Sequence, residues 1–335
     1  MNYEILRRTA GYRLAILAIL ALLLAAALLA GLRFGSLRLD AAEILHTLLS
    51  EREGVKFQIL WNIRLPRVLL GALVGGSLAV SGAVLQGIMR NPLASPGIIG
   101  ISSGGGLGGV LVLLALPQFS HLLVPAAFAG ALTTAFLVYL LAWKRGIDPV
   151  RLILSGVAVG SMLGAMSSTI LLFNAEKVAG ILDFTVGSLS TRSWPQFRLV
   201  WPYMLSGFLV SWLASSRLNI LMLGDEVAAG LGIRVERVRI LLLVAAALLA
   251  AAAVSVAGLL GFVGLIAPHI VRLLIGSDNR FLVPGAALFG AALVVGCDTI
   301  GRMVMDPSEL PAGVIMSLLG PPFFLYLLRR RTHAA

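Results

Sequence analysis

Catalysis or nucleotide binding in this chain would have to use a small set of side chains: three lysines (Lys56, Lys144, Lys177), four histidines (His46, His121, His269, His333), one cysteine (Cys297) and 15 carboxylates. None of the lysines follows glycine, so the GxxxxGK[ST] loop that cradles a nucleotide's phosphates is absent. The HExxH pattern of a membrane metalloprotease is also absent, and no histidine is placed as the base of a serine nucleophile. A single cysteine allows no intrachain disulfide and no cysteine-rich metal site. His269, in PHIVR at the edge of an apolar run, fits packing or capping better than metal ligation. Catalytic residues and metal ligands are therefore none. Two other patterns remain. One is the polar stretch Gly224-Asp225-Glu226-Val227-Ala228-Ala229-Gly230-Leu231-Gly232, whose acidic pair suits a helix N-terminus and whose Gly230 or Gly232 suits its stop. The other is the run from Arg64 to Gly109, apolar and small-residue-rich with a polar break at Arg90-Asn91-Pro92.

The elements that carry these residues are set by composition. The chain of 335 residues is 59% hydrophobic and only 12% charged, with a mean hydropathy of +0.98. That describes an all-α polytopic membrane protein, with length for about ten spans. Its net charge of +11 is spread between apolar runs, so a membrane explains it and nucleic acid is not implied.

Apolar runs predict spans at 14–34, 66–88, 94–115, 122–142, 152–173, 197–215, 240–260, 262–275, 281–297 and 312–328. The first follows Arg7, Arg8 and Arg13 and is longer than a signal-peptide core, so it is expected to stay as an uncleaved helix. Ten spans put both termini on one side. Placing them in the cytoplasm gives the inner segments 16 of the 26 Lys and Arg residues, in line with the positive-inside rule. On that topology 36–62 and 174–195 are external, the former with a short amphipathic helix on the membrane, and 215–239 is the main cytoplasmic segment.

The run 64–109 is the densest in small residues. Gly71, Gly75, Ser77, Gly82 and Gly87 suit close helix packing, while the Arg90-Asn91-Pro92 break and the Gly100 to Gly109 tract belong inside protein or along a path through it. In the fifth span Gly156, Gly160, Gly164 and Ser168 recur every fourth residue, with Ser155, Ser161 and Ser167 alongside. A stripe of this kind makes either a tight helix crossing or a smooth wall for a bulky solute. Intramembrane charges are scarce, which disfavours an ion-coupled secondary carrier.

Four stretches, GSLAVSGAVLQGIMRNPLASPGIIGISSG, GLLGFVGLIAPHIVR, DTIGR (298–302) and ELPAGVIMSLLGPPFFLYLL, closely resemble the permeases of bacterial ABC importers for ferric siderophores, haem and vitamin B12, the FecCD type with the BtuC-like fold. The resemblance runs from Arg64 to Leu328 in order. It implies a single transmembrane permease domain over 1–335 in the bacterial cytoplasmic (inner) membrane, surrounded by lipid. The implied partners are a second copy or a homologous permease, two cytoplasmic ABC ATPases and a substrate-binding protein. ATP and magnesium would sit on the ATPases, and this chain would hold no cofactor. By the same resemblance the segment 223–233 (Gly224, Asp225, Glu226, Ala228, Ala229, Leu231, Gly232) is a coupling helix, Arg64 and Arg302 dock the binding protein, and Gly156, Gly160, Gly164, Ser167 and Ser168 line the translocation pathway. The two arginines could instead anchor to headgroups or pair internally with Glu309 or Asp306. A ferric siderophore is the expected cargo, with haem or vitamin B12 as alternatives and an ion-coupled carrier as the competing class.

Overall fold

The computed structural model describes residues 9–35, 37, 39–50, 54–144, 148–305 and 308–332. Among the described residues six helices are long and apolar enough to cross a membrane: α1 (Ala10–Arg33), α3 (Val55–Ile88), α5 (Leu123–Ala142, entered by a 3-10 turn over Pro117–Leu122), α6 (Pro149–Phe173), α11 (Val235–Ala257) and α13 (Asn279–Val304). A seventh crossing is formed by α8 (Trp194–Leu213) and α9 (Ser215–Leu221), bent by 56° between them. The shorter apolar helices α4 (Ile101–Ala115), α12 (Val263–Ile275) and α14 (Ala312–Thr332) fall on the remaining expected spans. Three short helices lie between spans: α2 (Ala41–Ser50), α7 (Leu182–Val186) and α10 (Asp225–Gly230).

The bundle is built around α3, which packs on α13, α11, α12, α8 and α1. Its small residues make this possible. A Cβ on Gly75 would lie 2.1 Å from the Gly290 carbonyl oxygen of α13, and one on Gly82 would lie 1.9 Å from the Gly264 oxygen of α12. Helices in lipid gain by such close approach, because apolar side chains lose nothing by facing the acyl chains. The outer helices follow the opposite logic. Leu14, Leu22 and Leu29 of α1 and Phe136, Leu140 and Leu141 of α5 are exposed, as expected of a lipid-facing surface.

Two segments differ from the expectation. α3 starts at Val55 and enters the bundle through a π-helical turn over Ile59–Arg64, so the connection from α1 is shorter than 36–62. α2 is the expected short helix, but its Ile44 packs on Leu39 and Leu60 of the same chain while Leu45 and Leu49 face outward. The segment 174–195 is not a free connection: it packs into the bundle, with Ile181, Phe184 and Leu189 buried. The reason is backbone hydrogen bonding. The chain between α11 and α12 is non-helical at Gly258 (φ 72°) and Phe262 (φ 64°), and its polar groups need partners away from water. The inward segment supplies them: Leu259 N–H donates to Phe184 O (3.1 Å) and Ser188 N–H to Ala257 O (2.9 Å).

Candidate functional site

At one end of α3 the chain builds a small exposed platform. α10 begins after Gly224, whose φ of 114° lets the chain turn sharply, and stops at Gly232 with φ 79°. Ile233 N–H donates to Ala228 O (3.1 Å) and Gly232 N–H to Ala229 O (2.9 Å), which satisfies the last carbonyls and selects Gly232 over Gly230 as the terminator. Asp225 receives Arg239 Nη2 on both carboxylate oxygens at 2.7 and 2.8 Å, and Arg239 itself is buried on α11 beside Glu236. The short helix is thereby tied to a membrane span. Ala228 faces inward, whereas Leu223, Val227 and Leu231 are 62%, 49% and 60% exposed, four residues apart. Glu226 and Ala229 are exposed between them.

The surrounding end of the bundle is fixed by a polar hub. Asp278 takes hydrogen bonds from Arg13 Nη1 (3.0 Å), Asn219 Nδ2 (2.8 Å) and Arg280 Nη2 (2.8 Å), while Asn219 Oδ1 accepts from Asn279 N–H (2.8 Å). This joins α1, α9 and α13. The bonds from Arg280, then Asn219, outweigh burial and hold the Asp278 carboxyl well below the usual carboxylate range. The sequence reading assigned no role to Arg239, Asn219 or Asp278. The Arg239–Asp225 and Asn219–Asp278 pairs join residues 14 and 59 apart in sequence, so local patterns carry no sign of these two pairings.

The opposite end of α3 carries Arg64 and Arg302, but neither reaches outward: they are 4% and 5% exposed. Arg64 donates to the Leu32 (2.7 Å), Arg33 (3.3 Å) and Leu37 carbonyl oxygens, and Arg302 to those of Gly31 (3.0 Å) and Phe34 (3.2 Å). The physical reason is the end of α1, whose last carbonyls have no helical partner and attract cations. The internal pairing considered in the sequence is therefore closer to the geometry, with different partners. Glu309 binds Arg67 Nη1 at 2.7 Å, Arg302 Nε lies 3.4 Å from Asp298, and Asp306 is outside the described residues. Arg67, which the sequence reading passed over, is the centre of this cluster. Its Nε and Nη2 both bond Asp298 at 2.9 Å, with α3 and α13 clamped between them.

The stripe on α6 divides in two. Gly156 and Gly160 lie against the turn before α4, where added Cβ atoms would fall 2.7 Å from Ile99 Cα and 3.2 Å from Gly100 Cα. Gly164 has open space, Ser168 is exposed, and Ser167 Oγ donates back to Leu163 O (3.0 Å). Close packing thus accounts for the first half only. Leu154, Val157, Met162 and Met166 are exposed along the helix. His269 meets the ring of Phe323, Cys297 is buried beside Met316, and among the described residues no three potential ligands gather around a metal site.

Six membrane-length apolar helices, a bent pair and three shorter apolar helices among the described residues define a multi-pass membrane protein. Residues 22–330 match the model of the FecCD transport family, and the chain belongs to that family. It is 40% identical over 312 residues, 93% of each chain, to the Fe(3+)-citrate import system permease protein YfmE of Bacillus subtilis. To the cobalamin import system permease protein BtuC of Halobacterium salinarum it is 46% identical over 275 residues, 82% of this chain and 74% of that one. A solved chain described as a metal-chelate type ABC transporter in an inward-facing conformation superposes with a TM-score of 0.84 at 31% identity, covering 94% of this chain and 99% of that chain.

Proposed function

We propose that this chain is the permease subunit of an ATP-driven importer that moves a metal chelate, a ferric siderophore before haem or vitamin B12, into the cytoplasm. The observation that carries this reading is the set of exposed apolar side chains Leu223, Val227 and Leu231, on and at the two ends of a short helix fixed to α11 by Asp225 and Arg239. Apolar side chains presented by a short, anchored helix and its ends fit a groove on another protein, and the anchor transmits force into a membrane span. The partner at that end is a cytoplasmic ATPase, two copies of which serve a pair of permeases. Both termini of the chain then face the cytoplasm, and the membrane is the bacterial inner membrane. The open half of the α6 stripe, Gly164, Ser167 and Ser168, lines the path between the two permeases, while Gly156 and Gly160 hold that helix in place.

Reconstituted in liposomes with the ATPase and the binding protein, the chain is expected to take up chelate only when ATP is hydrolysed. Accumulation by this chain alone on a proton or sodium gradient would replace the reading with the ion-coupled carrier. The cargo is read from the binding protein purified with its native ligand, since an iron chelate, haem and a corrinoid differ in visible absorption. The relatives named above carry ferric citrate and cobalamin at comparable identity, so overall similarity does not decide between these chelates.

The binding protein docks at the Arg64 and Arg302 end. Buried as they are, these arginines act there by fixing the residues after α1 (Phe34, Gly35, Leu37) as a docking surface. Arg64→Lys keeps the charge but cannot fork between three carbonyls, and is expected to weaken binding-protein affinity about tenfold. Equal affinity for both forms, measured in detergent, would remove this role.

A further inference from the structure

A cleft between α5 and α8 is left unused by the transport reading. Both helices pack on α11, and a ring contact between Phe128 and Tyr203, 5.2 Å between centroids, bridges the two walls. Two adjoining cavities of about 190 and 160 Å³ share Val124 and Leu199 as lining residues. Their chemistry differs. One is lined by Ser120, His121, Arg192 and Gln196, whereas the other is lined mainly by Pro125, Phe128, Val200 and Tyr203, with Ser255. Arg192 is half-buried and held by Nε donating to Val256 O at 2.7 Å, a carbonyl in the last turn of α11. Among the described residues its two terminal nitrogens make no hydrogen bond, and Asp183 acts on it only across space. A cation is thus pinned at the polar mouth of an otherwise apolar slot. Leu199 and Tyr203, both exposed, open that slot sideways to the bilayer.

We propose that this cleft binds one anionic phospholipid, its phosphate on Arg192 and one acyl chain running past Leu199 and over the paired rings of Phe128 and Tyr203. Guanidinium matches phosphate in charge and fork geometry, and the start of α8 at Trp194 adds the positive end of its dipole. The apolar side chains of this cleft open onto acyl chains rather than water, so a chain of methylenes is its natural filling. The assignment is independent of the cargo and of the ATPase.

The test is titration of the delipidated full chain with phosphatidylglycerol and with phosphatidylcholine, read as bound lipid by native mass spectrometry. Arg192→Gln is expected to weaken phosphatidylglycerol about tenfold and to leave phosphatidylcholine unchanged. Leu199→Trp fills the slot from an exposed position, without disturbing the core, and is expected to weaken both lipids. Inorganic phosphate at millimolar concentration is expected to displace neither. Unchanged phosphatidylglycerol binding in Leu199→Trp would overturn the proposal even if Arg192→Gln failed to fold. So would displacement of the lipid by phosphate alone, which would mark an anion site with no acyl component.

Discussion

Asp298→Ala is expected to cost about 3–5 kcal/mol of folded-state stability, the range for removing one partner of a buried ion pair. The size of the effect comes from what is left behind. Asp298 receives two bonds from Arg67 at 2.9 Å and lies 3.4 Å from Arg302, and all three side chains are buried. Alanine would strand two guanidiniums in an environment where a lone charge is far more costly than a hydrogen-bonded pair. Glu309 offsets part of this, since it already binds Arg67 at 2.7 Å. Asp298→Asn, which keeps an oxygen acceptor but not the charge, is expected to fall between the two. Thermal unfolding in detergent is the measurement, and a midpoint unchanged in Asp298→Ala would show that the cluster is solvated and contributes little. The double variant Arg67→Met/Asp298→Ala is expected to recover part of the loss, because it removes one of the stranded cations along with the carboxylate.

The second large effect lies at the other end of α3. Replacing Leu223, Val227 and Leu231 together with aspartate is expected to abolish nucleotide-driven uptake while leaving the protein folded. Each of these side chains is exposed, so the fold loses no packing with them. In the assembled importer each would be buried against the ATPase, and burying a valine or leucine is worth roughly 1.5–3 kcal/mol. Three such losses weaken the contact by at least about a thousandfold, before the cost of burying carboxylates is added. Arg239→Ala probes the same helix from below. It frees Asp225 from α11 without touching the exposed apolar side chains, so the ATPase is expected still to bind and hydrolyse ATP while uptake falls. Tight ATPase assembly with the triple aspartate variant, measured by co-purification, would show that this helix is not the contact.

How much of this was legible in the sequence varied with the range of the interaction. The ten apolar segments could be read because a span needs a contiguous run of lipid-soluble residues, and contiguity is a property of the chain itself. The glycines of α3 could be read for the same reason: removing side chains at close spacing permits close approach whatever the neighbour turns out to be. The Asp225 to Gly232 helix announced itself by its acidic start and glycine stop, both local effects. Arg64 and Arg302 could be placed at one end of the bundle but not given their partners. A guanidinium beside a span can face headgroups, another protein or a helix terminus, and only the position of α1 decides between them. The inward turn of 181–189 was equally hidden, because it answers a need for hydrogen bonds created by the broken segment at 258–262. The Arg239–Asp225, Asp278–Asn219 and Arg67–Asp298 pairings arise because helices distant in sequence bring single charges together where water is excluded. The sequence by itself therefore determined a lipid-embedded, all-helical subunit with one exposed helix at its rim. Which charges are buried, what they hold in place and which faces stay open were decided only by tertiary packing, because a charge's role depends on the partner that replaces its water.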